Sequence, residues 1–208
     1  GLAKADAQKY HDAIEDYNKA ITIDKKYYKS YNHMGVAKIL LGERYEEAIN
    51  DFTKAIEIAP DFIPAYQNRA KARQIISDYN NALSDYTKLL SLNVKSPEVY
   101  GGIGRVKYFL KEYKSSIENY SKAIYLDSLN SHYFNNRGLA EYELKDNESA
   151  LNDYLKAIAL DKYFHMAYFN IGLLKFNTGK ISESCEYFLK AKTFGNKEAE
   201  NIINTYCK

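Results

Sequence analysis

The sequence has no tryptophan, three prolines, two cysteines and two methionines in 208 residues. So few prolines suit a chain that is helical almost throughout, because a proline inside a helix removes a hydrogen bond and clashes with the preceding turn. Cys185 and Cys207 form no CxxC pair and no disulfide framework. They are expected as two thiols, one partly buried and one in the tail. No apolar run approaches the roughly 18 to 20 residues that span a bilayer, and mean hydropathy is −0.53, so membrane insertion is not expected. Neither sign of charge dominates. The formal net charge is +2, too mild to point to nucleic acid. No signal-peptide pattern stands at the start. The chain opens at Gly1 without Met, so its natural N-terminus is expected to be missing. The compartment stays open, with the cytoplasm the leaning expectation.

Catalytic patterns are missing as well. His11, His33, His132 and His165 form no metal-spaced pair with one another or with a cysteine. There is no GxGxxG, no P-loop and no GxSxG elbow. Carboxylate pairs such as Glu15–Asp16 and Glu46–Glu47 fall on outward helix faces as solvated charges. An enzyme needs a fixed cluster of perturbed groups in a pocket, and this pattern offers only a periodic surface. No catalytic residue, metal or cofactor is expected.

What the sequence does have is repetition. "YNHMG" begins at Tyr31, "YQNRA" at Tyr66, "YGGIG" at Tyr100, "FNNRG" at Phe134 and "YFNIG" at Tyr168, the starts lying 35, 34, 34 and 34 residues apart. A second row keeps step: Ala13, Ala48, Ala82, Ser116, Ala150 and Ser184, each followed four residues later by Tyr17, Phe52, Tyr86, Tyr120, Tyr154 and Phe188. A fixed period near 34 marks a repeat array. Each period carries two helix-patterned segments with a short break. Before Tyr100, Ser96 and Pro97 read as an N-cap and a first helical residue. Small residues at Gly35, Ala70, Gly104, Gly138 and Gly172 let helix backbones approach, and the aromatic of the second row fills the neighbouring gap. One such hairpin cannot bury its own apolar face, so neighbours must stack.

At these residues the chain resembles the tetratricopeptide repeat, an aromatic, x2, apolar, Gly pattern followed by A-x3-F. The resemblance covers essentially the whole chain and implies an all-α fold, a right-handed superhelical solenoid of antiparallel helix pairs with a concave groove. The expected division is a truncated first repeat at 1–27, repeats at 28–62, 63–96, 97–130, 131–164 and 165–195, and a C-terminal capping helix at 196–208. The cap's stripe is Ala199, Ile202, Ile203 and Tyr206; the other reading is a partner-binding amphipathic helix. The tail is similar to those of bacterial proteins of this family. One extra residue near Gly42 to Tyr45 is expected as a longer turn. The usual tyrosine three residues after the glycine is replaced by Lys4, Lys38, Arg73, Lys107, Glu141 and Lys175.

The resemblance further implies that the first helix of each repeat lines the groove. That gives a candidate peptide-binding surface of Asn32, Asn68, Lys71, Arg105, Tyr108, Asn135, Asn136, Tyr142, Phe169 and Asn170. An asparagine amide both donates and accepts, so a spaced row can hold an extended chain by its backbone, as in the asparagine ladder of O-linked N-acetylglucosamine transferase. The other reading is that these amides bond neighbouring helices. Arg69 and Arg137 point toward the helix seam, where carboxylates such as Asp51 or Asp85 can pair with them. The basic row is expected to pair with second-helix acids; otherwise it biases the groove toward acidic peptides. Binding of chaperone C-terminal tails is disfavoured, because only the middle asparagine of that carboxylate clamp matches in either register. The implied function is a non-enzymatic scaffold that binds an extended or helical segment of a partner protein. The alternatives are a targeting or recruiting arm of a larger enzyme or secretion assembly, and a self-associating module.

Overall fold

The computed structural model describes residues 9–42 and 44–207. Expectations resting on Gly1 and Lys4 lie outside the described residues. The described residues form twelve helices and no strand: α1 (Tyr10–Ile23), α2 (Tyr28–Gly42), α3 (Tyr45–Ile58), α4 (Ile63–Ile75), α5 (Tyr79–Ser91), α6 (Pro97–Phe109), α7 (Tyr113–Leu126), α8 (Ser131–Glu143), α9 (Asn147–Leu160), α10 (His165–Asn177), α11 (Ile181–Thr193) and α12 (Glu198–Tyr206). None of them is long and apolar enough to cross a membrane. The chain divides into two units, one ending at Lys95 and holding α1–α5, the other starting at Ser96 and holding α6–α12.

Helix boundaries follow local chemistry. The Ser96 side chain accepts from the Val99 amide, and Pro97 is the first residue of α6. Asp146 caps α9 by accepting from the Ser149 amide. The first helices α4, α6, α8 and α10 end alike, on a residue with a left-handed backbone: Ser77, Lys111, Lys145 and Gly179, with φ between 61° and 79°. The amide one residue on closes back across the turn, as from Asp78 to the Arg73 carbonyl and from Glu112 to the Lys107 carbonyl, both at 2.8 Å. The turn expected to carry the extra residue includes Glu43, outside the described residues; α2 itself runs 15 residues, against 13 in α4.

Within each pair the small residue and the ring lock together. A Cβ added at Gly35 would lie 2.7 Å from the Phe52 ring, at Gly138 2.8 Å from Tyr154, and at Gly172 2.6 Å from Phe188. These rings are essentially fully buried. Such contacts leave no room for a methyl group, which is why glycine stands in a helix it would otherwise weaken. Arginines tie one pair to the next. Arg69 holds Asp85 of α5 with two nitrogens and donates to Thr53 of α3 at 2.9 Å. Arg137 repeats the arrangement in the second unit with Asp153 of α9 and Ser121 of α7.

The second unit ends in α12. Its Ala199 is fully buried, and Ile202 and Ile203 pack with Phe188 and Ala191 of α11. Asn196 starts the helix, its Oδ1 accepting from the Ala199 amide at 3.0 Å. The two cysteines correct the expectation of free thiols: Cys185 and Cys207 form a disulfide with 5.6 Å between their Cα atoms. Helix geometry explains the pairing. Eight residues separate Cys185 from the end of α11 and nine separate the start of α12 from Cys207. At about 1.5 Å per residue, the antiparallel helices bring both cysteines to one level.

Candidate functional site

The first helices carry the residues on which the groove expectation rests, and their asparagines are of two kinds. Asn32 and Asn135 stand directly after the aromatic and are buried, 3% and 2% exposed. Asn68 and Asn170 stand one place further on in the next repeat and are half-buried. Asn68 Nδ2 donates to Asn32 Oδ1 at 3.0 Å, and Asn170 Nδ2 donates to Asn135 Oδ1 at 2.8 Å. Each unit thus has one asparagine pair bonded between neighbouring first helices. Asn32 and Asn135 do not line a groove: they lie beneath the surface and accept for the repeat that follows.

Gly101 interrupts this ladder. It holds the place of Asn32 and Asn135, and a Cβ there would lie 2.5 Å from the Tyr133 ring, which fills the space. Asn136 stands in the donor place with no amide opposite. Its Oδ1 accepts from Asn135 Nδ2 at 3.2 Å, and it shares the cavity wall with Tyr120, whose hydroxyl burial holds protonated well above its ordinary range.

The basic row is paired. Lys38 lies 2.7 Å from Asp51, and Arg73 lies 2.6 Å from Asp85. In the next repeat Asn119 stands where four other second helices have aspartate, and Lys107 turns instead to Glu112 at the turn. Tyr187 occupies the same place in α11, and Lys175 turns to Glu183. Glu141 reverses the sign of the row. It is buried beside Asp153, Arg137 and Asp146, and burial together with the Asp153 charge pushes its carboxyl up to about 7.

Each unit has a cavity on its first-helix side. In the second unit it measures about 290 Å³ and is lined by Arg105, Tyr108 and Phe109 of α6, Tyr120 of α7, His132, Asn136 and Leu139 of α8, and Met166 of α10. In the first unit it measures about 250 Å³ and is lined by Val36, Ile39 and Leu40 of α2, Phe52 of α3, and Asn68, Lys71, Ala72 and Ile75 of α4. The structure thus brings Arg105, Tyr108 and Asn136 together, and Asn68 with Lys71. Tyr142 and Phe169 line neither cavity. Tyr142 packs on the core of the second unit and accepts from Asn177 at 2.6 Å. Phe169 lies against Phe188 in the cluster that α12 joins, and Phe176 meets Tyr206 edge-on at 5.0 Å. His132 and Met166 were not expected in this surface. Both stand two residues before the repeat's aromatic, a shared place that the period itself identifies.

These cavities are apolar, with a few polar groups at the wall, the ordinary composition of a recognition site. Comparison with known proteins adds the family. A tetratricopeptide repeat model matches residues 1–27, 28–62, 97–128 and 167–194, and a second TPR repeat model matches 138–179. No curated protein sequence matches the chain. Among solved structures, MamA from Desulfovibrio magneticus RS-1 is 18% identical, with 80% of this chain and 94% of that one covered at a TM-score of 0.73. YrrB, described as a TPR protein with an unusual peptide-binding site, is 18% identical over 92% of this chain and 99% of its own, at 0.70. A tetratricopeptide repeat protein from Parabacteroides merdae is 21% identical over 97% of this chain and 79% of its own, at 0.72. At such identities the structural likeness is one of fold. The period, the glycine–ring seams and a repeat model that matches more than half of the sequence agree, and the chain belongs to the tetratricopeptide repeat family.

Proposed function

We propose that the chain is a non-enzymatic protein-interaction scaffold whose first-helix faces hold a segment of a partner protein. The observation that carries this reading is the pair of open apolar cavities, each with an amide and a basic side chain at its wall. Large apolar residues stay exposed around them: Leu40 at 53%, Ile75 at 52%, Phe109 at 45% and Met166 at 37%. Apolar surface left open in this way marks a place that another molecule covers. The peptide-binding site named for YrrB supports the same class of ligand here. Ladder asparagines buried between helices give the surface a fixed shape, so a segment docks without first ordering its receptor.

The test compares two faces. Phe109→Ser with Met166→Ser alters the cavity wall, whereas Tyr125→Ser alters a residue of α7 that is 88% exposed and lines neither cavity. Bait carrying the first pair should lose the partners that wild-type bait captures from lysate, at least tenfold by quantitative mass spectrometry, while Tyr125→Ser bait keeps them. Loss with Tyr125→Ser and retention with the cavity pair would place recognition elsewhere and end this reading.

A further inference from the structure

We propose that the cavity of the second unit receives an internal acidic residue of the bound segment together with a bulky apolar neighbour. The carboxylate sits on Arg105 and the apolar side chain between Phe109, Leu139 and Met166. The proposal rests on the groove reading above and narrows it to one partner chemistry.

The protein has five arginines, and four of them hold a carboxylate. Arg44 pairs with Glu47, Arg69 and Arg73 with Asp85, and Arg137 with Asp153. Arg105 is exposed, and no carboxylate of the described residues lies within ion-pair distance of it; its guanidinium sits 5.9 Å over the Phe109 ring. Its place in the repeat explains the difference. Arg69 and Arg137 stand three residues after the aromatic and face the seam. Arg105 stands five after it, on the cavity side. A guanidinium resting on an aromatic face is weakly hydrated and offers a planar fork that matches a carboxylate.

Asn136 supplies the second donor. Gly101 has deprived it of a ladder partner, and a side-chain amide has two hydrogens. Its oxygen is engaged by Asn135, and its amide hydrogens stand at the cavity wall for a ligand. The donor set fits a single carboxylate beside an apolar anchor. A chain terminus held in the manner of the family's carboxylate clamp would need further cations, and the matching places hold Met166 and Asn170. The first unit repeats the combination by itself. Exposed Lys71 has no carboxylate of the described residues at ion-pair distance, and it shares its cavity with Asn68, Ile39 and Ile75.

The test is selection on the full chain from a display library of random segments, roughly a dozen residues long, flanked at both ends by other sequence. Winning peptides are then synthesised with blocked ends and titrated. Wild type should enrich Asp or Glu within two residues of Phe, Leu, Ile or Met. Arg105→Ala should weaken these peptides about tenfold, the effect expected for one charged hydrogen bond. Arg105→Glu should select Lys or Arg in place of the acid. Winners without an acidic residue, or winners that bind Arg105→Ala equally well, overturn the proposal. The groove reading survives that result if Phe109→Ser with Met166→Ser abolishes their binding. Winners indifferent to every one of these changes, or no winners at all, overturn both. Binders obtained only from a companion library with free C-termini assign the cavity to a chain terminus and also overturn the proposal.

Discussion

At the scale of single residues, what decides behaviour is whether a polar group has its complement. Glu141 does not. It stands where the other five repeats of this chain carry Lys4, Lys38, Arg73, Lys107 or Lys175, and it must share Arg137 with Asp153. Its carboxyl moves from an ordinary value of 4.5 to about 7. The folded state therefore binds the proton more tightly than the unfolded state. Stability that is fully present below pH 4.5 is lost as pH rises through 7. With the side chain 11% exposed, the loss should be on the order of 1–2 kcal/mol, less than the full shift would imply. Glu141→Gln should flatten the denaturant midpoint of the second unit across that window and raise it at pH 8. A wild-type midpoint that does not change between pH 5 and 8 would show that Glu141 is neutralised by its neighbours. The same complementarity explains what the sequence alone makes legible. Pairing of Arg69 and Arg137 with second-helix acids can be read from spacing, because both partners recur with the period. The burial of Asn32 and Asn135 cannot, because it depends on how closely two first helices approach about 35 residues apart in sequence.

At the scale of the helix pair, the fold is specified by a short contact between glycine and a ring. This was legible because both members recur in register, and a glycine repeated at one place in a helical pattern marks a close approach that a side chain would block. Gly138 tests it. Alanine is the better helix former by about 1 kcal/mol, and Ala70 stands in the same place in α4, so substitution looks favourable from the sequence. In α8, however, the new Cβ would meet Tyr154 at 2.8 Å and the Ala150 carbonyl oxygen at 3.2 Å. Tyr154 is 1% exposed and has no space to retreat into, and a backbone oxygen retreats only if α9 moves. Overpacking of this kind costs about 1–3 kcal/mol, more than the gain in propensity. Gly138→Ala should thus destabilise the second unit by about 1–2 kcal/mol in urea titration. A gain in stability would mean that α8 and α9 can part without loss.

At the scale of the whole molecule, a repeat array is weakest where its stacking stops. The last helix of the described residues is α12, nine residues long, shorter than the roughly 12 to 15 that hold together alone in water. It stays because Ala199, Ile202 and Ile203 are packed and because the Cys185–Cys207 bond fastens its far end. The bond was hidden in the sequence: the two cysteines lie 22 residues apart, and their meeting depends on two helices of matched length running back along each other. A cross-link closing a loop of that size stabilises by about 3 kcal/mol in the chain-entropy model. In a solenoid this stabilisation is local, since an end repeat can open while its neighbours remain stacked. Cys207→Ser, or mild reduction of the wild type, should therefore speed amide exchange in α12 on the order of a hundredfold. Exchange in α6–α8 should scarcely change, and α1–α5 serve as an internal reference. Opening α12 also bares Phe169 and Phe176, so binding of a hydrophobic dye should rise with exchange. If α12 keeps its protection after reduction, its isoleucines suffice to hold it and the disulfide is incidental to the cap. If protection falls through α6–α12 together, the second unit opens as one body and the cap fastens all of it.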